Sequence, residues 1–126
     1  MNYKILGGVL LIIVIIIIFL NRDLKEKFED TKKITIHLYK AQWCGHCKVF
    51  LPIFEDFKRK IEKEELSVSI KIIDADDKET QKLMEDNGIE GFPTVLFIKG
   101  TNKIKYEGER TVDGLMKMTK SLLNQS

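Results

Sequence analysis

The chain has 126 residues, with 21 basic and 19 acidic side chains and two cysteines. After one apolar run near the amino end about 105 residues remain, enough for one compact domain with one core and too few for two. The charge is nearly balanced: no basic stripe points to nucleic acid, no acidic tail points to a cationic partner, and mixed runs such as EDFKRKIEKEE read as solvated helix faces.

From Ile5 to Leu20 the sequence ILGGVLLIIVIIIIFL carries no charge, and Lys4 and Arg22 close it at either end. As a helix these residues span about 24 Å against the roughly 30 Å hydrocarbon core of a bilayer. Tyr3 at the interface, snorkelling cations and local thinning make up the difference. A cleaved signal peptide is the competing reading, but LNRDLKEKF lacks the small-x-small pattern of a cleavage site. All faces of the run are apolar and the domain is too small to enclose it. The expectation is a single-pass signal anchor at 1–21, a juxtamembrane helix or stalk at 22–33 and a globular domain at 34–126. Arg22, Lys25 and Lys27 outweigh Lys4 and the terminal amine and weakly favour a cytosolic domain, whereas the cysteine chemistry below weakly favours an oxidising compartment.

Within DLKEKF, Leu24 and Phe28 stand at i and i+4, which suits a short helix leaning on the domain. KITIHLYK alternates Ile34, Ile36 and Leu38 with polar residues and predicts a strand ending at the cysteines. Phe50, Ile53, Phe54, Phe57 and Ile61 recur at helical spacing, with Pro52 inside the run as a kink. LSVSIKII predicts a second strand, and DDKETQKLMEDNG a helix with an acidic first turn and a stop at Gly88. TVLFIKG and KIKYEG form a hairpin through KGTNK. Thr111 caps a closing helix whose apolar face runs from Val112 through Leu115, Met116, Thr119 and Leu122 to Leu123.

This order is α/β, and the first two strands need a crossover and so lie parallel. The cysteines fall where the first strand gives way to its helix, the strand end at which sites form in open α/β sheets. A thiol in the first helical turn faces unpaired N–H groups and the positive end of the macrodipole, which favours Cys44 as the nucleophile. Cys47 lies on the same side within disulfide reach and resolves a mixed disulfide at Cys44. Gly45 leaves the outer sulfur uncrowded, and His46, when charged, stabilises the thiolate and so makes the disulfide more oxidising. A zinc site would need four ligands, and His46 lies inside the cysteine pair, where it cannot easily turn to the same metal as His37. A static disulfide would close too short a loop to stabilise much, and a buried inert thiol pair is the third rival. Redox exchange without metal or added cofactor is the favoured chemistry.

WCGHCK resembles the active-site signature of the catalytic modules of protein disulfide isomerases, in the thioredoxin superfamily. The likeness runs from about Ile34 to Leu123: Pro52 matches the kink proline, IIDADD the strand end beginning VDA, GIEGFPTVLF the GxxGYPT segment, and YEGER the YxGxR that follows. It implies a thioredoxin-like fold, a mixed four-stranded sheet flanked by helices, here preceded by one transmembrane helix. It also implies that Pro93 is a cis proline facing the active site, where the backbone beside Phe92 and Pro93 pairs with an extended substrate. Trp43 would shield the cysteines, although on sequence alone it is as readily a core residue. Arg110 resembles the arginine that swings towards the resolving cysteine, and His46 marks the oxidising branch.

One position departs from the family. Six residues before the first cysteine, where these modules keep a buried acid, stands Leu38, which accepts no proton. His37 points to the other face of the strand and is a poor substitute, so slow resolution by Cys47 is expected. The chain ends in LLNQS without a retention signal, so residence in the endoplasmic reticulum would depend on the anchor. The resulting expectation is a membrane-anchored thiol-disulfide oxidoreductase that acts on protein thiols and disulfides, recycled by an unidentified redox partner, in the endoplasmic reticulum lumen or an equivalent compartment. A cytosol-facing thioredoxin-like reductase and a client-binding module without turnover are the alternatives.

Overall fold

The computed structural model describes residues 2–125, and the side chains of these apart from residues 27–32. The chain divides into two units between Thr31 and Lys32.

The first unit is one helix, α1 (Tyr3–Lys32). Its segment Tyr3–Glu26 reaches a mean hydropathy of 2.9, with the side chains of the apolar run exposed. That is long and apolar enough, by length and composition, to cross a membrane: 24 residues at 1.5 Å each span about 36 Å. The helix does not stop at the end of the apolar run. DLKEKFEDTK contains neither proline nor glycine and is rich in Lys and Glu, which continue a helix at little entropic cost. Leu24 is exposed; the Phe28 side chain, with which it was expected to pair, lies outside the described residues.

The second unit is built on a four-stranded sheet of order β2-β1-β3-β4. The strands are β1 (Ile34–Lys40), β2 (Val68–Asp74), β3 (Thr94–Lys99) and β4 (Asn102–Lys105). β1 and β2 run parallel in register from Ile34 opposite Val68 to Lys40 opposite Asp74, while β3 is antiparallel to both β1 and β4. The mixed sheet follows from the connections, since β1 reaches β2 through helix α2 (Gly45–Lys63), whereas Gly100, at φ +59°, turns the chain directly from β3 into β4.

Alternation along β1 divides its side chains between two cores. Ile34, Ile36 and Leu38 pack with Phe50, Phe54, Phe57 and Ile61 of α2 and with Leu115, Met116 and Leu122 of α4 (Val112–Asn124). Each fully buried phenylalanine there contributes about 1.5–3 kcal/mol by removal from water. On the opposite face Tyr39, Ile73 and Leu96 pack with Met84 and Ile89, Met84 belonging to the short helix α3 (Gln81–Asp86). Pro52 lies inside a continuous α2. Thr111 caps α4, its hydroxyl accepting the Gly114 N–H at 3.1 Å.

The stretch DDKETQKLMEDNG differs from the single helix that its pattern predicts. It opens as a 3-10 turn, Lys78–Thr80, and becomes α-helical only from Gln81. Asp77 accepts the Glu79 N–H at 3.2 Å, and the Thr80 hydroxyl lies 2.6 Å from the Asp74 carbonyl and 2.7 Å from that of Asp77. These local bonds tie the first turn back to the end of β2 in place of the α-helical pattern. Gly88, at φ +61°, ends α3 in the left-handed region.

Candidate active site

β1 delivers the chain to the motif, and the end of β2 holds it there. The Ala75 N–H donates to the Lys40 carbonyl at 2.7 Å, the Gln42 N–H to an Asp76 carboxylate oxygen at 2.8 Å, and the Asp76 N–H to Asp74 at 3.0 Å. The chain then turns, with Cys44 N–H on the Ala41 carbonyl at 3.3 Å, directly into α2.

Cys44 is the N-cap of α2, one position ahead of the first helical turn in which its spacing placed it; its backbone is extended at φ −83°, ψ 111°. Its sulfur accepts the Cys47 N–H at 3.2 Å and so satisfies one of the free donors at the helix start. Cys47 sits one turn on, and both thiols are free and buried, at 6 % and 4 % exposure. They share a small apolar cluster with Ala41, Ala75 and Phe92. Burial pushes the Cys47 thiol up, and the adjoining Cys44 sulfur pushes it further; the Ala41 N–H and the Lys40 charge pull it down. Cys47 is therefore protonated near neutrality.

The Phe92–Pro93 bond is cis and Pro93 is buried. Trp43 is 72 % exposed, which rules out its placement in the core, and meets Phe92 edge-on with ring centroids 6.0 Å apart. Gly45 and His46 are exposed, and a Cβ built at Gly45 would meet nothing within 4 Å. The glycine thus leaves open space beside the cap sulfur. Arg110 lies with its guanidinium 5.9 Å from the centre of the Phe50 ring and donates to the Pro93 carbonyl at 3.5 Å. In this arrangement it is engaged with the proline loop and the residue three beyond Cys47.

Leu38 is buried at 1 % exposure in the larger core, and His37 faces the opposite core, its Nδ1 3.1 Å from the Tyr39 hydroxyl. Neither handles a proton for Cys47. The pattern had not singled out Lys40 and Asp74, whose side chains form an ion pair at 2.6 Å at the carboxyl ends of β1 and β2. Lys40 also lines a cavity of about 210 Å³ with Ala41, Gln42, Cys47, Lys48 and Leu51. The signal was present in the alternation, because Lys40 follows Leu38 on the same face of β1. Among the described residues no group of three or more acidic, histidine or cysteine side chains is placed to hold a metal.

The thioredoxin family profile matches residues 16–121. The chain belongs to the thioredoxin family. Among curated relatives, mouse protein disulfide-isomerase TMX3 is 32% identical over 96 residues, which cover 75% of this chain and 21% of the relative. Protein disulfide isomerase-like 2-1 of Oryza sativa subsp. japonica is 40% identical over 91 residues, covering 71% and 24%. The chain thus spans about a fifth to a quarter of the length of these relatives. In fold it is similar to the first thioredoxin domain of mouse protein disulfide-isomerase A4, with a TM-score of 0.66 at 24% identity over 74% of this chain and 65% of that one. The thioredoxin fold accounts for the strand order, and for a helix cap and a cis proline contributed to one site by segments far apart in the chain.

Proposed function

We propose that this chain is a membrane-anchored thiol-disulfide oxidoreductase, similar to the protein disulfide isomerases, that exchanges disulfides with protein substrates through Cys44 and Cys47. The observation that carries this reading is the cap geometry: the Cys44 sulfur takes the Cys47 N–H at 3.2 Å at the start of α2, beside the Phe92–Pro93 cis bond. The relatives named protein disulfide-isomerase support it from sequence.

In the reductive direction the Cys44 thiolate attacks a substrate disulfide, forms a Cys44–substrate bond and releases one substrate sulfur as thiolate. Cys47 then loses its proton and attacks Cys44; the Cys44–Cys47 bond forms, the bond to substrate breaks, and the second substrate sulfur leaves with the electron pair. Run in reverse, the pair donates its disulfide and is itself reduced. Trp43, Gly45, Phe92 and Pro93 form the substrate-facing surface, with His46 beside the nucleophile and Arg110 behind the proline loop. An unidentified redox partner resets the pair, and neither metal nor added cofactor takes part.

Residues 5–20 form the membrane-embedded part of a single-pass anchor at 1–21, residues 22–33 the stalk, and residues 34–126 the catalytic domain. The domain faces an oxidising compartment, the endoplasmic reticulum lumen or its equivalent, which suits the oxidising influence of His46. A cytosol-facing reductase is the second reading, and it is favoured by Arg22, Lys25 and Lys27 on the domain side of the apolar run.

Reduction of insulin, with Cys44→Ser as control, tests the exchange; equal turnover by the two proteins would refute it, and would leave the client-binding module as the alternative. A redox titration of the cysteine pair separates oxidant from reductant. Protection of the domain from protease in sealed membrane vesicles decides the side.

A further inference from the structure

The buried acid expected near the resolving cysteine is absent at Leu38, but a charged pair stands one pleat further along the same two strands. Leu38 faces Ile72 in the β1–β2 register and Lys40 faces Asp74. The first pair is apolar. The second is an ion pair at 2.6 Å between half-buried side chains. Alternation puts Lys40 on the face of β1 that carries Leu38 and lies against α2, and it lines with Cys47 the cavity of about 210 Å³ at the start of that helix.

We propose that Lys40, aimed by Asp74, supplies the positive charge that allows Cys47 to ionise and resolve the mixed disulfide, in the place of the acid missing at Leu38. The inference rests on the exchange reading above and names the residue that serves its second step. Lys40 is a charge-supplying residue and Asp74 a positioning residue. The Cys47 proton leaves to solvent through the cavity; the resulting thiolate forms the Cys44–Cys47 bond, and the substrate sulfur departs with the electron pair of the bond that breaks.

Among the groups around Cys47 the Ala41 backbone and Lys40 favour its thiolate, and Lys40 is the one that brings a charge. From the end of β2 Cys47 meets the uncharged Ala75, while the Asp74 carboxylate is held on Lys40. From α2 it meets the Cys44 sulfur, which opposes its ionisation while that sulfur is anionic, and Lys48 at the cavity wall. From the loop before β3 it meets the uncharged Phe92. From the end of β1 it meets the Ala41 N–H and the Lys40 charge, both of which favour its thiolate. Asp76 is engaged by the Gln42 N–H and Arg110 by Pro93 and Phe50. Formation of the mixed disulfide removes the charge on Cys44 and its repulsion, so Lys40 acts when resolution is due.

The test uses the full chain in detergent micelles and dithiobis-nitrobenzoate as the disulfide. Attack by Cys44 releases one coloured thiolate and resolution by Cys47 a second, so stopped-flow absorbance separates the steps. In Lys40→Met the pH midpoint of the second phase should rise by about half to one unit, making it about three- to tenfold slower at neutrality, with the first phase unchanged. Lys40→Arg should restore the midpoint. A lost packing contact would slow the step without moving the midpoint. If Lys40→Met folds poorly by circular dichroism, Lys40→Gln carries the same comparison. An unshifted midpoint in the uncharged variant overturns the role of Lys40, whereas a wild-type chain with no second release overturns the exchange reading itself.

Discussion

Trp43 and Phe92 meet edge-on, ring centroids 6.0 Å apart and planes at 83°, so the residue before Cys44 and the residue before Pro93 form one wall beside the thiols. Phe92 packs against the cysteines and Trp43 stands in solvent, and on the proposed exchange reading the two rings would meet an extended substrate beside Cys44. Trp43→Ala should raise KM for a disulfide peptide by about three- to tenfold, the equivalent of roughly 0.7–1.4 kcal/mol. Little stability should be lost, since the exposed ring buries little on folding. Thermal melts alongside peptide kinetics check both halves; a fall in melting temperature with KM unmoved would make Trp43 a structural residue.

Leu38 and Lys40 lead to a prediction about the core. Leu38→Glu places a carboxyl in the larger core, where burial raises its pKa, at the position where the related modules keep an acid, and should speed resolution of the mixed disulfide. It should also destabilise the domain by about 2–4 kcal/mol at neutral pH. Because the folded-state pKa is raised, that penalty is absent below the unfolded value and grows as pH rises above it. Urea melts from acid to neutral pH measure the cost, and the second stopped-flow phase measures the gain.

His37 makes stability depend on pH from the other face of the sheet. It is 8 % exposed, and burial, followed by Lys71 and Lys103, lowers its pKa. The His37 Nδ1 lies 3.1 Å from the Tyr39 hydroxyl, which accepts from the Asn87 amide at 3.0 Å. The unfolded chain takes up the proton first, near pH 6.5, so stability falls as pH drops through that value and levels only below the folded pKa. His37→Gln should flatten the profile of denaturant midpoint between about pH 7 and pH 5. An equally steep profile in the variant would place the titrating group elsewhere.

Phe54 stands between Phe50 and Phe57, at centroid distances of 5.9 and 5.6 Å, and is fully buried. Phe54→Ala should cost about 3–5 kcal/mol, because the removed ring leaves a cavity that neighbours on β1 and α4 fill only in part. Calorimetry reads the loss. Since α2 carries Cys47 and its cap Cys44, the same variant should also broaden the two-phase release before the domain unfolds.

Much of the geometry of the candidate site was legible because its signals are local. Cys44, Cys47 and the strand-to-helix junction lie within a few residues of one another, and the periods of two and about 3.6 marked β1, α2 and α4. The single helix expected across Asp77 to Gly88 failed for an equally local reason: the Asp77 and Thr80 side chains bond the backbone in place of helical partners. The continuous α1 likewise shows that a change of hydropathy is not a helix stop when no breaker accompanies it.

The sequence by itself determined the element order, the buried faces of β1, α2 and α4, and the candidate cysteine pair, since each depends on neighbours along the chain. Only the tertiary structure decided that Lys40 meets Asp74, that Trp43 meets Phe92 rather than entering the core, and that Arg110 lies over Phe50 beside Pro93. Those contacts join segments far apart in sequence, and no periodicity encodes them. They exist because parallel register and packing of α2 on the sheet bring the ends of separate elements to one edge, where the gain from burial exceeds the entropy of closing the intervening chain.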